Sequence, residues 1–346
     1  MVKIISTESL LEERRKGTFQ QDVPFVVNGE QLIVVKKIVN GEMETLEFVK
    51  PVGEMLTSGS LEQFKDLMKK TVLDVEIGRE AVPVLYKPIY ETITDPTFPQ
   101  VLDAKWALYG TVIFSDHMEG EEVKFGALNA ESGPVARILT QAAGFEITKE
   151  IQAFNSFYIV EIYNKAMGEA HNAKLNDMHF GPIIGYSYPK AANKTAFQGQ
   201  STDPLWVRMY LTLNQAVVDA QTAKRPGSVL LASSLDKANI EMALKGGYTI
   251  NGTTYPAVTG ISTVIYYDGW TTTVGKKTYT YPGVAQGEAY LIRPRRGFKE
   301  LIKQDLKIES NVADLSRLVD AQIVGYSFRG VYAAVEENVQ KITLKS

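Results

Sequence analysis

Two short stretches of the chain carry the residue types that could bind a metal ion. The first, Asp116-His117-Met118-Glu119-Gly120-Glu121-Glu122, has four carboxylates and one imidazole in seven residues, and the second combines His171, Asp177 and His179. The first lacks the fixed ligand spacing of an EF-hand loop, and the second places its histidines eight residues apart, whereas four would align them on a helix. We therefore interpret both as solvent-exposed surface residues and predict no metal site.

Nucleophilic, nucleotide and redox chemistry have no support in the sequence. The chain contains no cysteine, which excludes disulfides, zinc-thiolate sites, thiol nucleophiles and iron–sulfur clusters. Gly-x-Gly-x-x-Gly, the Walker phosphate loop and Gly-x-Ser-x-Gly are all absent. Because the 40 acidic residues allow many arbitrary carboxylate pairs, no acid–base pair can be selected. We predict no catalytic residues and no cofactor.

The charged residues leave one basic cluster to explain, Arg293-Pro294-Arg295-Arg296. It could bind a phosphate or an acidic partner surface, or it could be a turn with solvated arginines. With 37 Lys and Arg against 40 Asp and Glu, the formal net charge is −3. That balance provides no long-range attraction to nucleic acid or to an anionic membrane.

Extended structure is predicted over most of the first 130 residues. β-Branched runs between Val23 and Lys50 alternate with Asn28-Gly29 and Asn40-Gly41, which predicts a small β-meander. Residues 71–130 are expected to be extended as well. They include a hairpin whose charged tip, residues 116–122, should project into solvent or against a neighbour.

Helices are predicted in the middle of the chain. Pro134 to Ala143 suits a short helix, and a helix from Ile147 to about Lys174 follows, on the order of 40 Å long. Its apolar residues recur at helical spacing: Ile147, Ile151, Phe154, Tyr158 and Ile162. A helix of this length exceeds the diameter of a small domain, so we expect it to lie across an extended face.

An α/β subdomain is predicted after residue 200. Asp203 is the expected cap of a helix that begins at Pro204 and closes before Pro226-Gly227. A buried strand, Ser228 to Ala232, leads to a helix from about Ser234 to Lys245. Strands are expected over the later part of the chain: 248–284, 289–292, 299–309, 330–335 and 339–344.

This order of elements resembles the major capsid protein of tailed double-stranded-DNA bacteriophages, which has the α+β Hong Kong phage capsid fold shared with encapsulins. Residues 143–151 running into 164–170 are similar to the spine helix of that family. The resemblance continues in its C-terminal strands, at 313–318, 328–333 and 339–344.

The resemblance implies four regions. Residues 1–76 would be an N-terminal arm and extension, and 77–200 the first part of a peripheral domain, with an extended loop at about 111–128 and the spine helix at about 147–174. Residues 201–300 would be the axial domain and 301–346 the return strands of the peripheral domain.

The function implied is a non-enzymatic capsid protein that self-assembles into hexamers and pentamers of an icosahedral shell around packaged double-stranded DNA. The expected partners are further copies, portal and scaffold or decoration proteins, and DNA bound without sequence specificity. No membrane partner is expected. The expected location is the virion, with synthesis and assembly in the host cytoplasm.

Two alternatives remain open at this point. One is an encapsulin-like compartment with a protein cargo. The other is a cytoplasmic α+β enzyme whose site is built from dispersed acids and tyrosines.

Overall fold

The computed structural model describes residues 23–27, 30–39, 42–48, 71–72, 74–103, 135–148, 157–250, 252–274, 276–314 and 319–345. The chain divides into two compact units. The first unit comprises Met1–Pro83, Ala142–Asn172 and Leu306–Tyr326, and the second comprises Val84–Gln141, Ala173–Asp305 and Ser327–Ser346. The predicted hairpin tip at 116–122 lies outside the described residues.

Three antiparallel strands confirm the predicted β-meander. Strands β1 (Val23–Val27), β2 (Glu30–Val39) and β3 (Glu42–Phe48) form a sheet in that order. Val23 lies opposite Val34, and Ile33 lies opposite Phe48. The two Asn-Gly turns that predict this register are outside the described residues.

The short helix predicted over 134–143 is wrong, because this region is the start of strand β6 (Val135–Thr148). Ala136 and Ile138 are buried while Arg137 and Leu139 are exposed, and this alternation every second residue is typical of a strand. The strand belongs to a five-stranded sheet in the order β4-β15-β16-β6-β5. The other strands are β4 (Glu91–Thr94), β5 (Val101–Asp103), β15 (Phe298–Asp314) and β16 (Val319–Ala333).

The long helix is present but begins later than predicted. Helix α1 spans Phe157–Ile184, whereas the apolar spacing predicts 147–174. The spacing misleads because Ile147 and Thr148 are the last residues of β6. At 1.5 Å per residue, its 28 residues extend about 42 Å, close to the predicted length.

The predicted secondary structure is also wrong for the residues just before Val84, where the second unit begins. Residues 71–72 and 74–81 are helical, although the sequence predicts extended structure from residue 71. Within the first unit this segment approaches α1 through two glycines. A Cβ added to Gly78 would lie 2.0 Å from the Lys165 carbonyl oxygen, and one added to Gly168 would lie 2.0 Å from the Val75 carbonyl oxygen. The two helical backbones are therefore in direct contact.

The second unit is built on a mixed sheet in the order β11-β8-β14-β17-β7. All four residues of β8 are buried, because one apolar cluster covers each face of the sheet. Its strands are β7 (Lys194–Thr195), β8 (Val229–Ala232), β11 (Thr263–Tyr266), β14 (Glu288–Ile292) and β17 (Val339–Thr343). This unit confirms the predicted α/β organisation after residue 200.

Helices and hairpins complete the second unit. Helices α2 (Leu205–Thr222) and α3 (Lys237–Lys245) both supply apolar residues to one of these two clusters, the one that also contains Leu230 and Ala232 of β8. The short helix α4 (Val335–Asn338) precedes β17. Two hairpins complete the list: β9 (Tyr248–Ile250) with β10 (Thr253–Tyr255), and β12 (Gly269–Val274) with β13 (Lys277–Pro282).

The cap predicted for α2 differs from the observed one. Pro204 is the cap residue, without a side-chain hydrogen bond, and the Asp203 carboxylate instead accepts from the Gln200 N–H at 3.0 Å. The predicted helix is therefore correct, but Asp203 stabilises the preceding turn.

The glycine contact yields a stability prediction. We expect Gly168→Ala to lower the free energy of unfolding by about 1–3 kcal/mol, because the added methyl group overlaps the Val75 carbonyl. Gly181→Ala in the same helix is the control, since its Cβ meets only the Asp177 carboxylate at 3.9 Å. It should stay within about 1 kcal/mol of the wild type. Urea unfolding followed by circular dichroism measures both, and equal effects would refute the contact.

Candidate functional site

A group of ionisable side chains forms a buried network within the second unit. Its centre is the Glu300 carboxylate on β15, which is 2% exposed. Oε1 accepts from the Tyr86 hydroxyl at 2.7 Å and from Arg329 Nη1 at 2.6 Å, and Oε2 accepts from the Thr92 hydroxyl at 2.8 Å. Three donors from three segments therefore satisfy one buried charge.

His179, on α1, lies beside this carboxylate with no exposed surface. Its ring stacks on Tyr86 with centroids 3.4 Å apart, and Tyr90 meets it edge-on at 4.7 Å. Nδ1 donates to the Leu175 carbonyl at 2.6 Å, which assigns the proton to Nδ1 because a carbonyl only accepts. Nε2 therefore carries a lone pair in the neutral ring and faces Glu300 Oε1 at 3.6 Å.

The titration behaviour of the network follows from its burial. Burial lowers the pKa of His179 to about 4, and this outweighs the opposing effect of the Glu300 charge. The imidazole is therefore neutral at neutral pH. Burial and then the Glu300 charge raise the pKa of Tyr86, so its phenol stays protonated and remains a donor.

This geometry joins structural elements through side chains that are shielded from solvent. Arg329 is 4% exposed, and its second contact is the Asp305 carboxylate. The Glu300 oxygens are already occupied by donors from Tyr86, Thr92 and Arg329. The network brings together an acid and tyrosines, as the hypothesis of an enzyme site built from such residues requires. These side chains are buried, however, and do not face solvent.

A cavity of about 240 Å³ lies elsewhere in the second unit, next to the five-stranded sheet. Its lining includes Lys303, whose Nζ donates to the Phe98 carbonyl at 2.7 Å. The remaining lining residues are Gln100, Ile138, Thr140 and Phe328. The Lys303 amine is therefore paired with a backbone carbonyl, and the lining residues include no acid–base pair.

The metal-ligand candidates have mixed outcomes. Asp116, His117, Glu119, Glu121 and Glu122 lie outside the described residues. His171 and His179 are buried, so the interpretation of these two as solvent-exposed is wrong. Asp177 pairs with Lys174 at 2.7 Å, and within the described stretches no group of three potential ligands forms a metal site.

Sequence reasoning missed a second buried cation, Arg225, in the loop after α2. It donates to the Asn193 and Gln340 side chains and to the carbonyl of Ala192. Burial lowers its pKa. The signal available in the sequence was only its place in the Lys224-Arg225-Pro226-Gly227 helix end, which does not indicate burial.

The predicted basic cluster lies between β14 and β15. The Arg295 N–H donates to the Ile89 carbonyl at 2.7 Å, and the Arg293 N–H donates to the Asn338 carbonyl at 2.9 Å. Arg295 and Arg296 are exposed. The backbone of this loop is therefore fixed to two neighbouring segments while two guanidinium groups reach solvent.

None of the helices in the described part of the chain combines the length and apolar character needed to cross a bilayer. No protein-family model matches the sequence. No curated protein matches it either.

Solved structures do match the fold. The virus-like particle from Pyrococcus furiosus aligns with a TM-score of 0.50 and 12% identity, covering 80% of this chain and 99% of that chain. The capsid of cyanophage P-SCSP1u aligns with a TM-score of 0.49 and 12% identity, covering 75% of this chain and 88% of that chain. The holo-SrpI encapsulin complex from Synechococcus elongatus PCC 7942 aligns with a TM-score of 0.45 and 10% identity, covering 77% of this chain and 89% of that chain. The first likeness shows the fold: this chain has the α+β fold of that virus-like particle, as the resemblance of its residues to the capsid fold predicts.

The buried network yields a prediction for Glu300. We expect Glu300→Gln to lower the free energy of unfolding by about 3–5 kcal/mol, because it removes the buried charge that pairs with Arg329. Asp305→Asn is the matched control, since that carboxylate is 62% exposed and should contribute less than about 1 kcal/mol. Urea unfolding at pH 7 tests both. A Glu300→Gln effect as small as that of the control would contradict the assignment.

His179 yields a pH prediction. Its pKa is about 4 in the folded chain and about 6.5 in the unfolded chain, so below pH 6.5 the unfolded state binds the extra proton. The His179 contribution to stability is complete above pH 6.5 and falls as the pH decreases towards 4. We expect His179→Gln to make the free energy of unfolding less dependent on pH between 6.5 and 4. Urea titrations across that range measure it, and identical slopes in both proteins would contradict it.

Proposed function

We propose that this chain is a structural protein whose copies assemble into a closed shell. The observation that carries the proposal is the fold, which matches nearly the whole chain of a virus-like particle. The chemistry of the described residues is consistent with it, because the Glu300 carboxylate is buried and accepts hydrogen bonds from three side chains of the protein itself. The proposed role is therefore assembly, without catalysis.

In its specific form, the proposal is an icosahedral capsid built from hexamers and pentamers that encloses double-stranded DNA. Residues 201–300 serve as the axial domain, and 77–200 with 301–346 as the peripheral domain. Each copy offers different faces to different neighbours, as heterologous contacts that close a shell require. The further partners are portal and scaffold or decoration proteins, in a virion assembled in the host cytoplasm.

One apolar surface in the second unit supports association with a second copy. Val101 on β5 pairs with Arg137 on β6, which places Val101 and Leu139 on the same face. Both side chains are more than half exposed. Among the described strands, β5 lies at the edge of its sheet, and exposed apolar residues at such an edge are typical of surfaces that a neighbouring chain covers.

The test is the state of the purified full-length protein. We expect particles, capsomers or sheets in negative-stain micrographs, with nuclease-protected DNA inside particles purified from infected or expressing cells. A monodisperse monomer under all assembly conditions would contradict the shell role. Particles that contain a specific protein in place of DNA would retain the shell role and replace the capsid assignment with a cargo compartment.

A further inference from the structure

Three loops of the second unit bring cationic side chains together on a surface here called the basic patch. Its residues are Lys87 from the turn before β4, Lys224 from the loop after α2, and Arg293, Arg295 and Arg296 from the loop between β14 and β15. The Arg295 N–H donates to the Ile89 carbonyl at 2.7 Å, and Arg293 Nη1 donates to the Lys224 carbonyl at 3.4 Å. The three loops are therefore joined directly.

The backbone at Lys224 adopts a conformation that favours glycine. Two hydrogen bonds close the end of α2, from the Lys224 N–H to the Gln221 carbonyl and from the Arg225 N–H to the Ala220 carbonyl, both at 2.9 Å. This is the Schellman arrangement, and the residue in the place of Lys224 is usually glycine because its φ is positive. Lys224 has a φ of 58°. The geometry of the turn therefore does not explain why a lysine stands here.

Arg295 shows the same feature in the next loop. Its φ is 64°, and hydrogen bonds from the Arg295 N–H to Ile89 and from the Arg293 N–H to Asn338 hold the loop in place. Residues other than glycine cost free energy in this conformation, and such residues concentrate at functional sites. Lys224 and Arg295 are both exposed cations, which points to a role for their charge.

The carboxylates near the basic patch do not neutralise it. Glu91 pairs with Lys299, and Glu336 pairs with Lys190. Glu337, which is exposed, leaves one negative charge beside five cations. Three of these cations are exposed and form no ion pair within the described stretches: Lys87, Lys224 and Arg295.

The chemistry of the basic patch suits phosphate groups. A guanidinium presents a planar fork of N–H donors that matches two phosphate oxygens, and an ammonium binds phosphate as a point charge. A protein partner would need an apolar interface core as well. Among the described residues, none of the large apolar side chains exposed to solvent belongs to these three loops. These observations favour the phosphate backbone of a nucleic acid over an acidic protein surface.

The same loops favour a duplex over a single strand. Proteins bind single strands largely through aromatic side chains that stack on the bases. The aromatic residues nearest to Lys87, Tyr86 and Tyr90, are buried. A duplex presents its phosphates on the outside, where cations on a fixed surface can contact them. Irregular loops offer the major groove neither a helix nor a β-ribbon, so these contacts carry no sequence information.

We propose that the basic patch binds the phosphate backbone of double-stranded DNA without reading its sequence. The proposal rests on the proposed function, because a shell that encloses DNA brings a duplex to the surface of every copy. The formal net charge of −3 provides no long-range attraction, so binding depends on this local cluster.

A glycine double variant of the full-length protein tests the proposal. Lys224→Gly with Arg295→Gly removes two charges and relieves both positive φ angles, so its melting temperature should equal or exceed that of the wild type. Fluorescence anisotropy with a labelled short duplex measures DNA binding. We expect binding weaker by about tenfold or more, and a plot of log affinity against log salt whose slope is reduced by about two.

Two control variants separate the basic patch from other effects of charge. Lys276→Gln with Lys277→Gln removes two charges at the exposed turn between β12 and β13 and should bind the duplex as the wild type does. The exchange variant Lys224→Arg with Arg295→Lys keeps both charges and should retain binding. A single strand of the same sequence and polyglutamate serve as competitor probes, and both should compete less well than unlabelled duplex.

Three results would overturn the proposal. The first is unchanged duplex binding by the glycine variant, and the second is an equal loss in the Lys276/Lys277 control. The third is stronger competition by a probe other than the duplex. Polyglutamate in that place would identify an acidic protein surface as the partner, and the single strand would identify an unpaired nucleic acid.

Sedimentation velocity of the same samples separates this proposal from the proposed function. Wild-type particles that bind no duplex would refute the patch assignment and retain the shell role. A wild-type chain that binds the duplex through the patch but never assembles would refute the shell role and leave the phosphate contact intact.

Discussion

The requirement to satisfy the buried charge of Glu300 determines the arrangement of the second unit around it. A carboxylate in an apolar interior is tolerated only when donors surround it. Here the donors are Tyr86, Thr92 and Arg329, which come from parts of the chain more than 200 residues apart and from the adjacent strand β16. His179 adds α1 to the same cluster through its stack on Tyr86. Moving any of these segments would leave a buried charge or donor without a partner.

The same principle divides the charged residues of the second unit into two groups. Arg225 and Arg329 are buried and hydrogen-bonded, and they fix loops and strands. Lys87, Lys224 and Arg295 are exposed on loops.

Local patterns predicted the elements whose signals are local. The strand alternation between Val23 and Lys50 predicted the meander, and Pro204 with Pro226-Gly227 bounded α2 to within a few residues. The segment at 135–143 failed because its alanines and leucine suit a helix, whereas pairing in a five-stranded sheet decides its structure. The approach of Gly78 to Lys165, and the contacts of His179 and Glu300, depend on residues distant in sequence, so no local pattern reports them. The fold class was therefore accessible from the order of elements, and the buried network was not.

We propose that each chain, of 38.4 kDa, is one subunit of a multi-copy shell. Sedimentation velocity of the purified protein, across a range of concentrations and salt conditions, tests this claim most directly. The account predicts a discrete, fast-sedimenting species of many copies, in equilibrium with or derived from smaller capsomers. A single species at the mass of one chain under every condition would contradict it.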